Sequence, residues 1–246
     1  MDILIVLFWS LIGSVFSLAG GVLLLGARSL RNKLMILALP FGAGALLAAA
    51  FFDLLPESIE GQNPAVILRF ALLGFIAFFL IERIAGLFHS HHEHGQNDAT
   101  KKFRIIVGDT VHNAIDGVAI GAAFLVDVPT GIVTSVAVAA HEIPQEIGDF
   151  GLLLARGMKP GRVLLVNALS AIATVVTALS TYLLGSTAAL PIAPLLAITA
   201  GFFIYIAASD IIPEIHEQPH RRANAQAAML LVGIIVVASA ILLLGV

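Results

Sequence analysis

The sequence contains no cysteine, which excludes both disulfides and thiolate metal ligands. It is also poor in charge. Only 12% of its 246 residues are Asp, Glu, Lys or Arg, against about 25% in a soluble domain. Strict alternation of apolar and polar residues is missing too, so a transmembrane barrel is excluded. No basic tract offers a surface for nucleic acid, and the net charge of -3 is small. What is there is apolar: 59% of the residues are hydrophobic and the mean hydropathy is +1.01. The chain therefore reads as an all-α integral membrane protein with little mass outside the bilayer. Met1-Asp2-Ile-Leu lacks the basic start of a signal peptide, so the first apolar stretch is expected to be a retained span.

A helix needs about 20 apolar residues to cross the hydrocarbon core. Eight stretches qualify: 3–26, 34–55, 66–88, 103–126, 129–155, 162–184, 191–212 and 224–246. Together they form a single transmembrane domain over residues 1–246. Basic residues fix the expected direction. Arg28, Arg31 and Lys33 lie between spans 1 and 2, and Arg83, Lys101, Lys102 and Arg104 flank the gap between 3 and 4. Arg156, Lys159 and Arg162 lie between 5 and 6, and Arg221 and Arg222 between 7 and 8. Of the 13 basic residues, Arg69 falls in the other set of gaps. The positive-inside rule then makes the Lys- and Arg-rich gaps cytoplasmic and leaves both termini outside.

Two internal matches point to an inverted repeat. Asp53-Leu-Leu-Pro-Glu57 near the end of span 2 recurs 157 positions on as Asp210-Ile-Ile-Pro-Glu214 near the end of span 7, and Gly44 and Gly201 keep the same offset. Spans 2 and 7 run in opposite directions, as do 4 and 5. Inverted repeats are a mark of secondary transporters, with the substrate site near the midplane.

Two polar hexapeptides stand in spans 4 and 5: His112-Asn-Ala-Ile-Asp-Gly117 and His141-Glu-Ile-Pro-Gln-Glu146. One helical turn brings His112 over Asp116, His141 over Gln145 and Glu142 over Glu146. Asn113 and Glu142 point about 100° round from the adjacent His residues and suit an adjoining position. Asp109, Asp116, Glu142, Glu146 and Asp149 all fall within these spans. A single acid at mid-bilayer costs roughly 2.5–3.5 kcal/mol on insertion scales, so five cost on the order of 10 kcal/mol. No Lys or Arg lies in these spans beyond Arg104 at the edge, so neutralisation must come from protons, water or bound cations. Intramembrane ionisable groups of this kind mark function. Imidazole with carboxylate suits Zn, Fe and Mn, and the absence of Cys argues against Cu(I). Pro144 cannot donate to the carbonyl of Ala140, so span 5 is expected to bend there.

Other features surround this centre. Asp53 and Glu57 lie toward the outer face as an entry mouth, and Asp109, Asp149, Asp210 and Glu214 toward the cytoplasmic face as an exit. The loop 89–102 carries His89, His91, His92 and His94, a tract that reads as labile metal binding or as a plain polar loop. Gly117 and Gly121 give span 4 a face for close approach to a neighbour.

Gly108-Asp-Thr-Val-His-Asn-Ala-Ile-Asp-Gly117 and His141-Glu-Ile-Pro-Gln-Glu-Ile-Gly-Asp-Phe150 resemble the signature spans 4 and 5 of the ZIP (Zrt/Irt-like) metal transporters, in the subgroup with His-Glu-Ile-Pro-His-Glu in span 5. Asp53-Leu-Leu-Pro-Glu57 and Asn167-Ala-Leu-Ser-Ala171 are similar to that family's elements of spans 2 and 6. The resemblance implies spans 1–3 and 6–8 related by a pseudo-two-fold around 4 and 5, uptake of divalent metal into the cytoplasm, and frequent homodimers. It implies a binuclear centre, with a first position at His112, Asp116, His141 and Gln145 and a second at Asn113 and Glu142 sharing Asp116 and Gln145. Three residues depart from the pattern: Gln145 replaces the subgroup's second His, span 6 has no acid, and Asp53 stands where many members have His.

The expected function is thus a secondary transporter, with no catalytic cofactor. It moves Zn2+ or another divalent transition metal (Fe, Mn, Cd) across a plasma or inner membrane by alternating access, with the lipid bilayer as its other partner. An intramembrane zinc protease is the enzymatic alternative, because His141-Glu142 resembles the start of H-E-x-x-H. Here the fifth position is Gln145 and Pro144 interrupts the helix that must present both ligands. A metal-gated channel is the third reading.

Overall fold

The computed structural model describes residues 3–23, 28–85, 98–187, 190–217 and 220–245. The His-rich tract His89, His91, His92 and His94 lies outside them, as do the side chains of Asp210 and Glu214. The described chain is helical: α1 (Ile3–Leu23), α2 (Arg28–Ala49), α3 (Leu55–Ile59), α4 (Pro64–Ala85), α5 (Asp98–Val126), α6 (Val128–Ala155), α7 (Pro160–Thr187), α8 (Ile192–Tyr205), α9 (Ile212–Glu217) and α10 (His220–Leu244). A π-helical turn, Ala50–Leu54, joins α2 to α3, and another, Ile206–Ile211, joins α8 to α9. Among the described residues the helices therefore form eight continuous rods.

Both wide turns have the same local cause. Pro56 and Pro213 follow them closely, and a proline has no N–H to give to the carbonyl one turn back. The backbone bonds displaced there are taken up by a local π turn. The effect is to rotate Asp53 into the interior, where it is buried.

Among the described residues, five stretches are long and apolar enough to cross a membrane: Ile36–Ile59, Pro64–Arg83, Pro160–Thr187, Ile192–Ser209 and Ala223–Leu244. α5 and α6 fall short because their length is interrupted by charged residues, among them the five acids. The rods carry large apolar side chains on their outside, including Leu68, Leu72 and Leu73 on α4, Leu165 and Leu169 on α7, and Leu231 and Ile235 on α10. The interior holds Phe124, Phe150 and Phe203 together with many alanines and buried polar groups. Such an arrangement is stable with lipid as the outer solvent.

Packing divides the rods into two sets. α5 packs most extensively on α7, and α1 packs on α6 and α7. In the other set α2 packs on α10 and α4 on α8. The main seam between the sets is α2 against α6, with a smaller contact of α5 on α8. Glycines make the close crossings. Gly44 lies against the carbonyl of Leu230 and Gly233 against that of Phe41; Gly201 lies against the carbonyl of Ala71 and Gly74 against that of Ile198. Gly44 and Phe41 stand 157 positions before Gly201 and Ile198. Gly117 and Gly121 sit against the backbone of Thr174 and Ala178, so the close neighbour of span 4 is α7.

Candidate metal centre

α5 and α6 supply the polar interior. On α5, Asp109 lies one turn before both His112 and Asn113, and Asp116 one turn after both, so the four occupy one side of the helix. On α6, His141, Glu142 and Glu146 are all buried. α6 runs unbroken through Pro144. It begins at Asp127, whose carboxylate caps the helix by accepting from the Thr130 N–H at 2.7 Å.

Four of these residues converge: His112, Asp116, His141 and Glu142 each place a ligand atom within 4.8 Å of the others. The two Nε2 atoms are 3.2 Å apart. His141 Nε2 lies 3.1 Å from Asp116 Oδ2, and His112 Nε2 lies 3.8 Å from the same oxygen. Glu142 Oε1 is 3.5 Å from His112 Nε2 and 3.8 Å from His141 Nε2. A tetrahedral zinc site with bonds of about 2.0–2.2 Å has edges of roughly 3.3–3.6 Å. The separations bracket that value.

The chemistry of the four atoms agrees with the spacing. His141 Nδ1 lies 3.1 Å from the carbonyl of Ala137. A carbonyl only accepts, so Nδ1 carries the proton and Nε2 turns its lone pair inward. Such an outer partner fixes the tautomer of a ligating imidazole. Neither Asp116 nor Glu142 has a hydrogen bond to either carboxylate oxygen. Lone pairs thus face lone pairs in a buried space, an arrangement a divalent cation stabilises. Phe78 of α4 meets His112 edge-on, with ring centroids 5.6 Å apart and planes at 89°. Phe202 and Tyr205 of α8 pack on Phe78 and close that side with apolar surface.

The remaining expected site residues are placed differently. Asn113 is buried but engaged: its amide donates to Asp109 Oδ1 at 2.9 Å and its oxygen accepts from the Thr174 hydroxyl at 2.8 Å. Gln145 is half-buried. Glu146 is fully buried near Asp109 and Asp149, with Asn167 of α7 beside it. Asp53 is buried next to Thr130, and Glu57 lines a cavity of about 360 Å³ with Gln62, Val126, Ile192 and Leu196.

Several contributors had no place in the sequence reading. Thr110 donates to the carbonyl of Ile106 and takes a bond from Ser170 at 2.7 Å. Thr177 reaches the carbonyl of Ala114 at 2.8 Å. With Thr174 these hydroxyls lash α7 to the ligand-bearing helix. Their signal was the row Ser170, Thr174, Thr177 at helical spacing in span 6. Glu82, buried on α4 beside Tyr205, had a plainer signal as an acid inside span 3.

Asn113→Ala strips partners from Asp109 and Thr174. A buried polar group left unpaired costs about 1–3 kcal/mol, so the thermal midpoint in detergent should fall by roughly 3–10 °C. A midpoint within 1 °C of wild type on a thermal-shift gel-filtration assay would show that the bridge carries no stability.

A family model described as ZIP Zinc transporter matches residues 3–103 and 89–240. The chain belongs to the ZIP zinc transporter family. Among curated ZIP relatives, the zinc transporter ZIP6 of Homo sapiens is 43% identical over 116 residues, covering 47% of this chain and 15% of that protein. Zinc transporter ZIP4 of Homo sapiens is 41% identical over 111 residues, 45% of this chain and 17% of that one. Zinc transporter YKE4 of Saccharomyces cerevisiae is 31% identical over 205 residues, 71% of this chain and 59% of that one. The alignments span less than two thirds of each of these relatives. α5 and α6, the helices of the converging site, lie within the second of the matched stretches.

Proposed function

We propose that this chain is a carrier that moves divalent transition metal, zinc foremost, across the membrane into the cytoplasm. The observation that carries the reading is the buried group of His112, Asp116, His141 and Glu142, with its imidazole–imidazole and imidazole–carboxylate separations between 3.1 and 3.8 Å. Relatives named zinc transporters support it. So does the topology expected from the charge pattern, with eight spans, both termini outside and the ligands near the midplane. The paired glycine crossings of α2 with α10 and α4 with α8 favour the inverted relation of spans 1–3 and 6–8.

One ion per site fits the side chains best. Asn113 is committed to Asp109 and Thr174, so one member of a second position is engaged elsewhere. Glu142 joins the first group instead. A protease would need that glutamate beside a catalytic water, but its oxygen lies 3.5 Å from His112, inside the ligand group. Alternating access requires the ion to face one side at a time. The division of the rods into two packed sets supplies the moving parts: α1, α5, α6 and α7 carry the site past α2, α4, α8 and α10.

The test is zinc uptake into vesicles containing the purified chain. Saturable uptake and counterflow are expected. Uptake no faster than in empty vesicles removes the transport reading, and uptake without saturation or counterflow turns it into a channel.

A further inference from the structure

α2 and α6 run antiparallel, and two contacts fix their register. At one, Gly42 lies so close to α6 that a Cβ there would stand 2.7 Å from His141 Cα and 2.8 Å from the carbonyl of Ala140. At the other, Asp53 lies beside Thr130. Both intervals, 42 to 53 and 130 to 141, are equal in length. The register therefore sets Ala49 opposite Thr134, and Ala45 and Leu46 opposite Ala137 and Val138. All six are buried to the last per cent.

Thr134 is out of keeping with that lining. It is fully buried and its hydroxyl has no hydrogen-bond partner. A threonine or serine inside a transmembrane helix ordinarily bonds the carbonyl one turn back. Thr110 does so to Ile106, and Ser135, next in line to Thr134, does so to Gly131. Asp53 Oδ2 is also buried and unpartnered. Asp53 and Thr130 face each other at one end of the seam, and the unpartnered Thr134 oxygen stands between them and the centre, two turns, about 10 Å, from His141. Opposite Thr134, α2 offers only small or apolar side chains, with no amide or hydroxyl to satisfy it.

We propose that Thr134 is a station for the hydrated divalent cation on a path down the α2–α6 seam, from Asp53 and Thr130 to His141. In this structure Gly42, Ala45 and Ala49 shut the seam by letting the two backbones meet. The path opens when α6 draws away from α2, and the threonine oxygens then hold the water shell of the passing ion. This rests on the transport reading, and it adds the route and a residue on it. Thr134 is not a ligand of the centre, so its loss slows delivery and leaves the affinity of the centre intact.

The absence of native cysteine gives a clean test. Thr134→Val keeps the shape and removes the oxygen. Zinc uptake into vesicles should slow by about twofold to tenfold, the worth of one hydrogen bond, while zinc affinity in detergent stays within twofold of wild type. Thr134→Ser should recover the rate. Thr134→Cys should react with a membrane-impermeant thiol reagent from the Asp53 side, more slowly with Zn2+ present, and faster when Gly42→Ala wedges the seam. Wild-type uptake matched by Thr134→Val, or a Thr134→Cys that never reacts, overturns the path alone. Wild-type uptake equal to that of empty vesicles overturns the transport reading beneath it.

Discussion

His141→Ala should abolish zinc uptake and weaken zinc binding by on the order of 100-fold or more, whereas Gln145→Ala should weaken it by less than tenfold. Helical spacing pairs His141 with Gln145 one turn on, with the amide the weaker donor of the two. The contacts of His141 carry the larger effect. His141 Nε2 is 3.1 Å from Asp116 and 3.2 Å from His112, and its other nitrogen is held by the carbonyl of Ala137. Loss of an outer partner of a metal ligand costs about 10–100-fold, and loss of a ligand itself exceeds that. His112→Ala should behave as His141→Ala does, because its Nε2 makes three of the same edges. Isothermal titration with Zn2+ in detergent and uptake into vesicles measure the two effects separately. Equal losses for His141→Ala and Gln145→Ala would place the ion between those two residues, and the group of four would no longer be the centre.

The contrast between Glu142 and Gln145 shows where sequence reasoning runs out. His112, Asp116 and His141 could be picked out because a histidine and an acid four apart in an apolar helix have one obvious use. Glu142 was expected to point about 100° away from His141. Which neighbour on α6 joins the centre depends on the angle at which α5 crosses, and that angle is set by long-range packing. Asn113 shows the same limit. Its side chain suits a metal, but Thr174 lies 61 positions further on and no local pattern reveals that the two meet. The rods were legible from hydropathy, including α5 and α6, whose charges spoil a simple apolar count. The π turns were not, because a shift in backbone bonding leaves no trace in composition. Pro56 and Pro213 were visible, yet each also permits an ordinary bend.

Gly44→Ala and Gly201→Ala should each destabilise the chain heavily, and to a similar degree. At Gly44 a Cβ runs into the carbonyl of Leu230, and at Gly201 into that of Ala71. Neither obstacle is a flexible side-chain end; both are backbone of a packed helix, so the helices must part. Overpacking of this kind costs about 1–3 kcal/mol and more when backbone must shift. In a chain of this length each kcal/mol lowers the midpoint by roughly 2–4 °C. Gly148→Ala is the control. It lies inside α6 with nothing within 4 Å of a Cβ, and Ala is favoured over Gly in a helix interior by about 1 kcal/mol. Its midpoint should hold or rise. The equality of the first two carries the deeper argument. If spans 2 and 7 are copies of one element, their crossing glycines bear the same load against α10 and α4. A fall at Gly44 with none at Gly201 would mean that the two crossings have diverged in energy though not in position.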